Sequence, residues 1–248
     1  MVTQIGILKT GSTHPRLRAI FGDFDTWFRV HRGPAGTSPA GIGQADFTLF
    51  DIAGGATPPP LEQCRGYIIT GSPAMVTARE PWSEALKPWL QQVVAARVPL
   101  LAVCYGHQLL AEALGGAAGW HPRGTEIGTV EITLTEAGRE DPLLGALPPR
   151  FLAQVTHSQS ALRLPPEAVL LAANEFEPHH GFRLGPMAWG VQFHPEFSAD
   201  IMRGYLFEAS DKLLAAGQDV RALLARVRPA DADQRLLERF VALCDAAG

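Results

Sequence analysis

Hydrophobic positions in this chain fall into two textures, and the boundary between them lies near Trp120. Before it, short uninterrupted apolar runs alternate with amphipathic stretches. Gln4–Lys9, Phe47–Ala53, Tyr67–Thr70 and Pro99–Cys104 read as strands. Runs that are apolar throughout imply burial on both faces, as in a parallel sheet covered by helices. Trp82, Ala85, Leu86, Trp89, Leu90, Val93 and Val94 form one stripe at helical spacing, which predicts a helix over Pro81–Ala96. Pro88 falls inside it and predicts a kink or a restart there. A second helix, Tyr105–Leu114, ends at Gly115-Gly116. Arg32–Gly43 and Gly54–Pro60 are rich in glycine and proline and read as connections, the first an exposed loop before the second strand.

After Trp120 the runs become alternating and short. Gly128–Thr135 alternates with period two and reads as a half-exposed strand; Phe151–Thr156, Val169–Ala173, Gly181–Leu184 and Met187–Phe193 follow, several of them expected to be antiparallel. Ala199–Ala216, Val220–Val227 and Gln234–Cys244 are helical by composition and period. The pattern predicts an α/β fold: a doubly wound, mostly parallel sheet flanked by helices, with an additional antiparallel strand region. No repeat or linker divides it, so residues 1–248 read as a single domain with a short helical C-terminal extension.

Composition narrows the classes of function. A formal charge of −4 with no lysine-arginine run argues against a nucleic-acid surface. No apolar run reaches the roughly 18–20 residues that cross a bilayer, and Met1-Val2-Thr3-Gln4 lacks the basic start and apolar stretch of a secretory signal. Cys64, Cys104 and Cys244 are far apart, without metal-ligand spacing. Three scattered cysteines fit a reducing compartment, so a cytoplasmic location is expected.

One cysteine stands in a chemically pointed place. In Leu100-Leu101-Ala102-Val103-Cys104-Tyr105-Gly106-His107-Gln108, Cys104 ends a buried strand and immediately precedes a helix. A strand-to-helix turn of that kind exposes a nucleophile, and small residues at Ala102 and Gly106 suit its crowding. The helix N-terminus favours the thiolate, the reactive form. A buried structural cysteine is an equally common reading of this segment alone. His194-Pro195-Glu196 follows the apolar run Trp189–Phe193 and so lies at the end of a strand. Residues two apart in extended backbone face the same side, so one edge can present imidazole and carboxylate together. A histidine can take the thiol proton and return it to a leaving amine, while the carboxylate orients it. His157 has no carboxylate two residues on and is not read as the base. His179-His180 read as loop residues, and adjacent histidines in a strand would point apart and make a poor metal site.

The segments Pro99–Gln108, Thr156-His157-Ser158-Gln159 and Gly190–Phe197 together resemble the class I, triad-type glutamine amidotransferases. The likeness is nearest to the amidotransferase domain of GMP synthetases and to stand-alone relatives that include γ-glutamyl peptidase-like proteins. It spans about Gln4 to Leu206. It implies a flavodoxin-like fold, a substrate that is glutamine or another γ-glutamyl compound, and no metal or cofactor. By the resemblance Cys104 is the nucleophile, His194 the general base and acid, and Glu196 its orienting partner. The oxyanion hole would use the N–H of Tyr105 and one from the turn Thr70-Gly71-Ser72-Pro73, with Ser72 as donor and Gly71 beside the substrate. A turn needing positive φ would disfavour a serine there. Gln108 would hold the substrate's α-amino or α-carboxylate end, and the backbone of His157 and Ser158 would contact the substrate.

No phosphate loop of the G-x-x-x-x-G-K type and no dinucleotide fingerprint is present. Roughly forty residues follow the matched segment, so any amination is expected on a separate synthetase subunit that receives ammonia. Three functions stay open: a glutaminase-type hydrolase, a γ-glutamyl peptidase acting on larger substrates, and a catalytically silent regulatory module.

Overall fold

The structure is a computed structural model that describes residues 4–29, 46–230 and 232–247. The first half comprises β1 (Ile5–Lys9), α1 (Pro15–Phe21), α2 (Phe24–Arg29), β2 (Phe47–Asp51), β3 (Gly66–Ile69), α3 (Pro81–Ala95), β4 (Leu100–Val103) and α4 (Tyr105–Ala113). Then come β5 (Ala117–Trp120), β6 (Glu126–Leu134), α5 (Glu136–Arg139), β7 (Arg150–His157), β8 (Gln159–Arg163), β9 (Val169–Ala173), β10 (Gly181–Leu184) and β11 (Ala188–Val191). The chain closes with α6 (Ala199–Glu208), α7 (Ser210–Ala215), α8 (Val220–Arg226) and α9 (Ala232–Ala247). The expected loop Arg32–Gly43 lies outside the described residues.

Among the described residues nine strands form one sheet in the order β2-β1-β3-β4-β11-β10-β9-β6-β7. The first five run parallel. The last four pair antiparallel, β10 against β11 included. This is the mixed, mostly helix-covered α/β sheet that the apolar runs predict. The two-residue side-chain period divides each central strand between two cores. Ile5, Ile7, Ile68, Leu101 and Val103 pack on one face with Phe28 of α2 and Leu236, Leu237 and Phe240 of α9. Leu8, Tyr67, Ile69, Leu100 and Ala102 pack on the other with Leu86, Trp89 and Leu90 of α3 and Leu109 and Leu110 of α4. Each buried Leu, Ile, Val or Phe among them contributes about 1.5–3 kcal/mol by leaving water. β2, although apolar in sequence, is half-exposed because it is the edge strand.

One expectation changes, one is narrowed and one pairing is new. Helix α3 runs through Pro88 without a restart, taking Pro81 at its first position, where the missing N–H costs nothing. The stretch Ala199–Ala216 is two helices, α6 and α7, that part at Ala209. β5 and β8 pair in a separate antiparallel ribbon that neither segment's pattern announced. No described helix is long and apolar enough to cross a membrane.

Candidate active site

The parallel neighbours β4 and β11 keep Val103 opposite Val191, so the chain leaves both strands at the same edge of the sheet. Ligands of open α/β sheets gather at this carboxyl edge. Cys104 N–H donates to the Val191 carbonyl at 2.8 Å, and the Cys104 carbonyl accepts the first bond of α4 from Gln108 N–H at 3.1 Å. Between them Cys104 has φ 50° and ψ −97°. A non-glycine residue there stores on the order of 1–3 kcal/mol, and these two bonds help hold it. Gly106 is needed beneath: a Cβ would lie 2.9 Å from Ile69 Cγ2 and 3.2 Å from the Ile69 carbonyl. The close approach of α4 to β3 is thus written in the glycine two residues after the cysteine.

His194 comes off β11 with its N–H bonded to the Gln154 carbonyl of β7 at 2.8 Å. Pro195-Glu196 does not continue as extended strand. It turns back, with Phe197 N–H on the His194 carbonyl at 3.3 Å. The turn, rather than a shared strand face, brings Glu196 Oε1 to 2.7 Å from His194 Nδ1. The ring stacks on Phe197 at 4.0 Å between centroids, and Nε2 has no hydrogen-bond partner among the described residues. Nε2, opposite the carboxylate, is the nitrogen left for Cys104. Burial alone would depress this imidazole, but the negative charges of Glu196 and Cys104 overcome it and push it up to about 10. The arrangement favours an imidazolium at His194 beside the Cys104 sulfur.

The turn after β3 closes the site. A Cβ on Gly71 would lie 2.9 Å from His194 Cε1 and 3.7 Å from Cys104 Cβ, so this glycine is squeezed between them. Thr10, just past β1, pins the turn through Oγ1 bonds to the Thr70 and Gly71 carbonyls at 2.9 and 3.0 Å. Ser72 is not among the positive-φ residues, so the feared strain does not arise. Its Oγ donates to the Thr10 carbonyl at 2.7 Å and accepts Ala74 N–H at 3.1 Å, which stiffens the turn further. Tyr105 begins α4, its hydroxyl held by Ser83 at 2.7 Å, with its N–H on the cysteine side of the helix N-terminus.

Gln108 lies one turn beyond Cys104. Its Nε2 is committed to the Gln159 carbonyl at 2.8 Å and Gln192 Oε1 at 3.0 Å. Oε1, an acceptor, is what it can offer a ligand, which suits an ammonium better than a carboxylate. Thr156, His157, Ser158 and Gln159 line one wall of the same cavity, about 490 Å³ in volume, with Cys104, Tyr105, Ser72 and His194. Cys104 Sγ lies 3.9 Å from the Thr156 carbonyl. Ser158 Oγ is 2.8 Å from Thr125 Oγ1. Gly71 packs behind the lining rather than in it.

His157 lacks a carboxylate two residues on, and His179-His180 lie in the connection between β9 and β10, but the packing gives both sites partners that their own segments do not show. His157 does meet a carboxylate, from Glu126 directly across the β6–β7 ladder: Nε2 lies 3.0 Å from Glu126 Oε2. His180 is no loop ornament but wholly buried, its Nε2 3.3 Å from the same oxygen; His179 Nδ1 meets the Ala161 carbonyl at 2.6 Å. Glu126, Gln192 and Thr10 carried no local signal. A carboxylate heading one strand and a histidine ending the next was the only clue to the Glu126 pair. Among the described residues no group of three or more His, Cys, Asp and Glu could hold a metal ion.

The fold is that of glutamine amidotransferases of known structure. The enzyme from Methylobacillus flagellatus superposes with a TM-score of 0.74 at 22% identity, covering 100% of this chain and 96% of the other. That from Thermotoga maritima gives 0.71 at 20% identity, covering 98% and 97%. The family model Glutamine amidotransferase class-I matches residues 46–211, and the chain belongs to that family. Its relatives differ in size and in name. A GMP synthase [glutamine-hydrolyzing] of Aeropyrum pernix is 35% identical over 149 residues, 60% of this chain but 27% of that protein. Gamma-glutamyl peptidase 5 of Arabidopsis thaliana is 30% identical over 170 residues, 67% of this chain and 66% of the peptidase.

Proposed function

We propose that this protein is a cysteine-dependent amide hydrolase that releases ammonia from glutamine through a thioester on Cys104. The observation that carries the reading is the meeting of Cys104 and the His194–Glu196 pair at the ends of adjacent parallel strands. The Cys104 thiolate attacks the γ-carbonyl carbon, and the negative oxygen is received by the N–H groups of Tyr105 and Ser72. His194 gives its Nε2 proton to the nitrogen as the C–N bond breaks, leaving a thioester and ammonia. It then takes a proton from water, which attacks the thioester; glutamate leaves and the proton is shared again between His194 and sulfur. Glu196 stabilises each imidazolium and fixes the tautomer. Gln108 Oε1 receives the substrate ammonium. This chemistry uses no cofactor.

The size of the cavity supports a second reading, γ-glutamyl peptidase activity. Its lining continues from Cys104 past His14 and Phe24 to Lys212 and Leu213, room for groups beyond a primary amide. A separate synthetase subunit that accepts the ammonia fits the first reading, since the GMP synthase relative is much longer than the matched segment. Glutamate release from glutamine and from γ-glutamyl dipeptides, with and without cell extract, separates the readings. A subunit should be slow alone and accelerate with extract; a peptidase should prefer a dipeptide and ignore extract. Brief exposure to an electrophilic glutamine analogue should label Cys104 first. Burial pushes the Cys64 thiol up and that of Cys244 up to about 12, and neither lines the cavity. Correctly folded, reduced protein that turns over neither substrate would point instead to a silent regulatory module.

A further inference from the structure

Behind the cavity wall lies a buried polar cluster that the hydrolytic steps do not use. Glu126 heads β6 and is almost fully enclosed. Its Oε1 accepts from Asn174 Nδ2 at 2.8 Å, and its Oε2 faces both His157 and His180. The other nitrogen of His157, Nδ1, lies 3.0 Å from the Gln159 carbonyl. Both ring nitrogens of His157 therefore point at oxygens that can only accept, a carboxylate and a peptide carbonyl. Only the doubly protonated ring satisfies both. The Gln159 carbonyl is also the acceptor that fixes Gln108 Nε2. A single atom thus joins the buried pair to a side chain of the cavity.

We propose that Glu126 is a positioning residue that holds His157 as an imidazolium, so that His157 clamps the Gln159 carbonyl and sets segment 156–159 and Gln108 for substrate binding. The proposal rests on the hydrolytic reading of the cavity, but the charge state of His157 does not. Neighbours from every side are compatible with it. Burial would raise the Glu126 carboxyl, yet the bonds and charges of His157 and His180 hold it below the ordinary carboxylate range. Burial keeps His107 of α4 neutral, down at about 3, and lowers His121, whose ring centre is 6.4 Å from that of His157. His180 is 6.2 Å away ring to ring, and Glu177, buried in the turn after β9, accepts the His179 N–H at 2.8 Å and acts on His121 by its charge. Glu126 is the carboxylate that directly contacts the His157 ring.

Glu126→Gln keeps the shape and removes the charge. With its amide oxygen on Asn174 Nδ2, the amide NH2 faces His157 Nε2, which must then be an unprotonated acceptor. The charge-assisted hold on the Gln159 carbonyl drops to an ordinary bond from the neutral Nδ1–H tautomer, and the clamp weakens. We expect KM for a γ-glutamyl substrate to rise about tenfold near pH 8 while kcat changes less than about threefold. The ratio of variant to wild-type kcat/KM should recover towards one as pH falls below the ordinary imidazole range, about pH 5.5, where the ring regains its second proton. Taking the ratio cancels the titrations that both enzymes share. Glu126→Asp, which keeps the charge, should restore much of the loss. A ratio that is flat with pH, or a loss confined to kcat, overturns the proposal. Long-range nitrogen–proton correlation spectra of the wild type, with the ring assigned against His157→Gln, decide it even where Glu126→Gln does not fold. Two protonated ring nitrogens near neutral pH are expected, and a single neutral tautomer overturns the assignment whether or not any substrate is turned over.

Discussion

Two buried, hydrogen-bonded histidine–carboxylate pairs among the described residues have opposite boundary conditions. His194 and Glu196 are two residues apart, joined by a turn at the end of β11, and one imidazole nitrogen is left without a partner. His157 and Glu126 come from opposite strands of the β6–β7 ladder, and both imidazole nitrogens are engaged. A ring with one free nitrogen beside a cysteine can move a proton. A ring with both nitrogens committed can only hold geometry. What decides the role of each histidine is therefore the partner of its second nitrogen, more than the presence of a carboxylate.

The largest expected effects fall on the first pair. Cys104→Ala and His194→Ala should each lower kcat for γ-glutamyl hydrolysis by about ten-thousand-fold or more, and the double variant should be little worse than either. Steady-state glutamate release measures this, and multiplicative losses would show that the two do not act as one unit. Glu196→Gln should cost less, on the order of a hundredfold to a thousandfold, because the proposed nucleophile and base remain in place. An undiminished rate would mean that the free nitrogen of His194 needs no help from its other side.

Gly71→Ala should come next. Its methyl group would press on His194 Cε1 at 2.9 Å and reach Cys104 Cβ at 3.7 Å, so activity should fall about tenfold or more while the melting temperature shifts by only a few degrees. Equal damage to both would mean that the turn serves the fold more than the site.

The smallest effect is on stability, and it distinguishes the pairs by the limb of the pH profile on which each acts. His194 is raised in the folded state to about 10, so its contribution is fully present below the ordinary imidazole value and is lost as pH rises towards 10. Glu126 is lowered, so its contribution is present above the ordinary carboxylate value and is lost as pH falls through the acid range. Urea unfolding across pH should therefore show Glu196→Gln flattening the alkaline limb and Glu126→Gln the acid limb. An acid limb unchanged in Glu126→Gln would mean that this carboxylate is not held ionised by its neighbours in the folded protein.

Much of this molecule was determined by local sequence. The doubly apolar runs of β1, β3 and β4 announced a covered parallel sheet, because a strand buried on both faces has no polar side to show. Cys104 at a strand-to-helix junction and the His194-Pro195-Glu196 triplet were legible for the same reason: the proposed chemistry sits within a few bonds of the turn that shapes it. Tertiary structure alone decided the rest. That β11 lies beside β4, and so delivers His194 to Cys104, depends on strand order, which hydrophobic period does not encode. The edge position of β2, the β5–β8 ribbon and the break at Ala209 likewise answer to neighbours rather than to their own residues. Glu126 and His157 stand 31 residues apart in sequence, and only the register of an antiparallel ladder makes them partners. A polar residue shows its own donors and acceptors in the sequence, but its partner is chosen by packing across the core.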